Sequence, residues 1–69
     1  MFLKLYHEMV GYLKEVRTKN QIIELVFTFD HTIEIPENAL TTDVLKDLVR
    51  EKIGIFNCGV EGYRIRKIK

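Results

Sequence analysis

The chain contains no serine and no tryptophan, and only one cysteine and one proline. Each absence narrows what it can do. Without serine there is no serine nucleophile. Cys58 has no partner for an internal disulfide, and small secreted domains usually depend on several, so a reducing compartment, the cytoplasm, is expected. Lys4, His7 and Glu8 interrupt the first apolar residues too early for a secretory signal. No apolar run reaches the roughly 18 residues of a membrane helix. Charge excess is missing as well, with 11 Lys and Arg against 10 Asp and Glu. Gly54, Gly59 and Gly62 lack phosphate-loop spacing and follow a helix instead of opening one.

What is present is the balance of a globular protein: 46% apolar and 30% charged residues over 69 positions, read as one domain spanning 1–69. A chain this short buries only about 60% of its unfolded surface, so its core is small. It is also too short to enclose a pocket of the usual ~300 Å³ or more, which argues against an enzyme.

The strongest local pattern is a helix over 42–53. Val44, Leu45, Leu48, Val49 and Ile53 fall on one stripe, Thr41 or Thr42 stands at its start, and Gly54 follows as a left-handed stop. Before it, residues 21–35 alternate through Ile23, Leu25, Phe27, Phe29, Ile33 and Ile35, the period of a β-strand ended by Pro36. Residues 2–17 read either as a helix or as a strand paired with that segment. A three-residue loop, Thr18-Lys19-Asn20, sets Arg17 opposite Gln21 and places Leu3, Leu5, Met9 and Leu13 on a core face, with a bulge near Gly11. The tail 61–69 alternates again, and a strand that follows a helix crossover is expected parallel to its neighbour. The expected fold is a small α+β domain, β-β-α-β: a long N-terminal hairpin plus a C-terminal strand, with one helix on one sheet face. The alternative is α-β-β-α-β with residues 2–17 helical.

Two surfaces follow. One helix covers one face, which leaves Tyr6, Val10, Tyr12, Val16, Ile22 and Val26 on the other as a protein interface. Burying that face against a second copy or a larger protein would complete the core, so a self-associating, non-enzymatic interaction module is the leading expectation. The second surface is the basic tail. Residues 21–48 carry a net −5 and residues 49–69 a net +4. Tyr63, Arg64, Arg66, Lys67 and Lys69 form a candidate nucleic-acid contact, with cations for phosphates and a ring for a base. Charged edge strands also serve simply to prevent aggregation. The same tail could lie beside the acidic middle segment and be neutralised by it.

The remaining chemistry is thin. In the hairpin register His7 and His31 lie opposite each other, but their spacing matches no metal signature. Cys58 is flanked by Asn57 and Gly59, which supply no base to activate a thiol. No catalytic residue, metal or cofactor is expected.

Overall fold

The computed structural model describes residues 2–68, so Lys69 of the basic tail lies outside the described residues. The chain runs β1 (Glu8–Lys19), β2 (Ile22–Phe27), β3 (Thr32–Pro36), α1 (Thr42–Asp47), β4 (Lys52–Asn57) and β5 (Tyr63–Lys67). All five strands form one antiparallel sheet in the order β3-β2-β1-β4-β5. This is a small α+β domain, and residues 8–19 are strand, not helix. Among the described residues no helix is long and apolar enough to cross a membrane.

The hairpin expected at the N-terminus exists, but its turn is shorter. Asn20 and Gln21 both hold positive φ, 45° and 68°, so the connection is a two-residue turn of the I′ pattern. Lys19 therefore pairs with Ile22 and Arg17 with Glu24, instead of Arg17 with Gln21. The bulge falls between Leu13 and Glu15, just past Gly11. Gly11 serves the core instead: a Cβ there would stand 3.2 Å from the Phe27 ring.

The long strand read over 21–35 is two strands. Thr28–Asp30 make a 3-10 turn, Phe29 and Asp30 take φ of 64° and 60°, and Phe27 N–H bonds the His31 carbonyl at 2.7 Å. Phe29 points into solvent. The helix is also shorter than its stripe. It ends at Asp47, Arg50 takes the left-handed φ of 79°, and Ile53 and Gly54 belong to β4. Thr41 is its N-cap residue but makes no side-chain cap bond. Because β4 intervenes, the tail strand β5 forms a tight antiparallel hairpin with it, not a parallel crossover.

β1 holds the sheet together. Its first half, Glu8 to Tyr12, pairs with β4, and its second half, Leu13 to Lys19, pairs with β2. The eleven steps of a straight twelve-residue strand would measure about 36 Å, yet the Cα trace extends 28 Å along its longest axis. The strand must bend, and the bulge is where it does so.

The N-terminal arm gives an independent check. Phe2 bridges Glu34 of β3, while Tyr6 N–H bonds the Asn57 carbonyl of β4 at 2.8 Å. Along a straight β1 those two rows would stand about 30 Å apart. The four steps from Phe2 to Tyr6 reach at most about 14 Å. The sheet is therefore rolled, and the arm ties its β3 edge to β4. Asn57 pins the arm, donating from Nδ2 to the Leu3 carbonyl at 2.9 Å while Oδ1 accepts from Gly59 N–H at 3.0 Å.

Inside the roll lie Leu13, Ile23, Leu25, Phe27, Ile33, Ile35, Ile53 and Ile55, closed over by Leu3 of the arm and Leu45 of α1. Met9 packs at the margin of this cluster, whereas Leu5, expected with it, is exposed.

Two stability outcomes follow. Replacing Leu13 by Ala at the bend costs about 2–5 kcal/mol, against a total of about 3–10 kcal/mol for a domain of this length. Urea denaturation should show most of the stability gone. Gln21→Gly creates Asn-Gly at a turn that needs two left-handed residues, and should add about 0.5–1 kcal/mol. Its melting temperature should rise by several degrees; a fall would contradict the turn.

Candidate binding face on β1, β4 and β5

Alternation along three neighbouring strands brings together side chains that are far apart in the chain. The pairing sets Glu8, Phe56 and Arg64 in one row and Val10, Gly54 and Arg66 in the next. Tyr12 stands beside Lys52, where the Ile68 N–H bonds the Lys52 carbonyl at 2.8 Å. These positions alternate with the core residues Met9, Leu13, Ile53, Ile55 and Ile65, so they lie on the outside of the roll. Val10 is 43% exposed and Tyr12 52%.

Gly54 makes the face concave. With no side chain at the centre of the rows, a groove of ≈ 320 Å³ opens between Glu8, Phe56, Ile65, Arg64 and Arg66. The Glu8 carboxylate lies over the glycine, with Oε2 2.9 Å from where a Cβ would stand, and Arg66 Nη2 reaches that oxygen at 3.5 Å. The floor thus carries an aromatic ring and a carboxylate, and the β5 rim carries two guanidinium groups. Arg64 approaches Glu61 at 3.9 Å. All these ion pairs are solvent-exposed, where such pairs contribute about 0–1 kcal/mol and exchange readily for another partner.

The two surfaces read from the sequence as rivals therefore overlap. Val10 and Tyr12 share the outer face with Arg64 and Arg66. Tyr6 is exposed on the arm beside Gly59, and Ile22 is half-buried on β2. The other two residues of the expected interface are turned inward or buried. The bulge reverses the alternation of β1, so Val16 faces inward and packs on the core opposite Leu25. Val26 is only 6% exposed and has little surface to offer.

Within the basic tail, Tyr63 is half-buried against the core, on the opposite side of β5 from Arg64. Lys67 also lies on that inner side, 3.5 Å from Glu51. Among the described residues β5 neighbours β4, while β2 and β3 of the acidic middle segment lie across β1, so the tail strand is not paired beside that segment.

Glu8, Lys52, Phe56 and Ile68 are residues of this face that the sequence does not single out, and Gly54, buried beneath Glu8 and Ile68, reads there only as a helix stop. The signal it carries for them is the alternation Lys52-x-Gly54-x-Phe56, hidden because Ile53 and Gly54 also complete a helix pattern.

The other candidates come apart. His7 sits at the start of β1 beside Asn57, and His31 at the β2–β3 turn, so the corrected register separates them. Cys58 is buried in the turn after β4, its N–H bonded to the Gly62 carbonyl at 2.7 Å. Among the described residues no three His, Cys, Asp or Glu side chains come together to hold a metal. Compared with known proteins, the chain matches no family model, no curated protein and no solved structure.

Gly54→Ala tests the groove. The new methyl would meet only movable side-chain ends, Glu8 Oε2 at 2.9 Å and Ile68 Cδ1 at 3.3 Å. Alanine also loses less backbone entropy than glycine in a strand. Thermal stability should change by less than about 1 kcal/mol, while the groove fills and Glu8 is displaced. A loss of the folded circular dichroism signal would mean the glycine is needed for the sheet instead.

Proposed function

We propose that this chain is a non-enzymatic binding module that takes a short single strand of nucleic acid on the outer face of β1, β4 and β5. One observation carries the reading: two partly exposed aromatic rings, Tyr12 and Phe56, stand on the same face as Lys52, Arg64 and Arg66. Base-on-ring stacking contributes about 1–3 kcal/mol per base and tolerates any sequence. Cations at the rim meet the phosphates. The lone buried Cys58 suits a reducing compartment, and the cytoplasm is where we place the protein.

Self-association through the same face is the second reading. It is favoured by the exposure of Tyr6, Val10 and Tyr12, with Leu5 of the arm and Val60 also exposed. Tyr and Arg are also the residues that dominate protein interfaces. Size decides the order. Three strands by five residues span about 14 by 13 Å, a footprint well below the roughly 800 Å² per partner of a stable interface. A dimer would have to extend across the arm. A few nucleotides would not.

Fluorescence anisotropy with labelled oligonucleotides at low salt tests the first reading. Binding should weaken with salt at a log–log slope near about −2, the value for about three phosphate contacts on a single strand. Arg66→Ala should flatten that slope by about 0.7, and Tyr12→Ala should cost at least about fivefold, the low end for one stacked base. No binding at low salt would sink the proposal. Sedimentation at micromolar to millimolar concentration tests the second reading: a dimer that Val10→Lys dissociates supports it, and a monomer throughout removes it.

A further inference from the structure

We infer that the groove over Gly54 is a base-selective subsite that prefers nucleobases carrying an exocyclic amino group, cytosine over uracil among the pyrimidines. This rests on the single-strand reading above and specifies it. The groove holds three kinds of group in fixed relation. Phe56 supplies a ring on which one base can stack. Glu8, its direct cross-strand neighbour, lays its carboxylate over Gly54, where the edge of that base would fall. Arg64 and Arg66 stand along β5 at the rim, where they can meet phosphate. At ≈ 320 Å³ the open groove lies at the small end of ligand sites and has room for one ring system.

The carboxylate makes the selection. A carboxylate only accepts hydrogen bonds, whereas an amino group donates. Cytosine N4 is a donor that a glutamate oxygen accepts, the pairing also used for cytosine in duplex grooves. Uracil presents a carbonyl at the same position, which would set acceptor against acceptor and leave both unpaired. Arg66 already neighbours the carboxylate at 3.5 Å and orients it across the strand, while its remaining donors stay free for the backbone of the nucleic acid. Gly54 is the residue that makes this arrangement possible, because any side chain there would occupy the place of the carboxylate.

Anisotropy titrations of the whole chain with oligo(dC) and oligo(dU) of equal length test the inference, since these bases differ in the group read and little in stacking surface. The expected result is at least about fivefold tighter binding of oligo(dC), the lower end for one base-edge contact. Glu8→Gln keeps the shape and adds a donor, so it should bring the two affinities to within about twofold, largely by improving oligo(dU). Its circular dichroism spectrum serves as the folding control. If that variant fails to fold, the wild-type comparison still decides. Equal wild-type affinities, or a preference that Glu8→Gln leaves untouched, overturn the inference and leave the nucleic-acid reading standing. Failure to bind either oligomer overturns both.

Discussion

The bend of β1 is the constraint on which the rest depends. A strand of twelve residues cannot stay straight in a molecule 28 Å across. It pairs with β4 before the bulge and with β2 after it, so one strand serves two sets of neighbours. The bend rolls the sheet, and the roll creates an inside that ten apolar side chains can fill. It also lets the short arm from Phe2 to Tyr6 reach from β3 to β4. Small chains seldom have enough residues to build two separate layers. Here a single sheet supplies both walls of the core, and the short helix only closes an opening.

Much of this architecture is legible in the sequence, and the failures have definite causes. Residues 2–17 fit a helical stripe as well as the hairpin strand that forms, while the helix start at Thr42 and the final strand follow from periodicity and turn chemistry. The split of residues 21–35 does not. The turn between β2 and β3 sets odd-numbered residues opposite odd-numbered ones, Ile23 with Ile35 and Leu25 with Ile33. The inward alternation of Leu25 and Phe27 thus resumes at Ile33 and Ile35 as though nothing had intervened. β4 is hidden differently. Ile53 fits a helical stripe with Val49 and a strand alternation with Ile55, and local pattern does not choose between them. Tertiary pairing with β1 does, and Arg50 absorbs the left-handed turn expected of Gly54.

The site is half legible for the same reason. Val10, Tyr12, Arg64 and Arg66 can be picked out as surface residues, but placing them together requires knowing that β4 lies between β1 and β5. Val16 is displaced from its expected face by a bulge whose effect is to reverse every side chain beyond it. A one-residue insertion in a strand exchanges inside for outside. No composition or charge count carries that information.

The neighbour change along β1 has a consequence for how the molecule comes together. The strands β1, β2 and β3 form a meander of short-range hairpins, and β4 with β5 forms another. The β1–β4 seam is the strand pairing that joins them, and it pairs residues as distant in the chain as Glu8 and Phe56. The outer face straddles that seam, with Tyr12 on one hairpin unit and Phe56, Arg64 and Arg66 on the other. Neither unit owns it. The surface comes into being only when the two units dock, so a ligand that holds both sides would act as a brace across the joint.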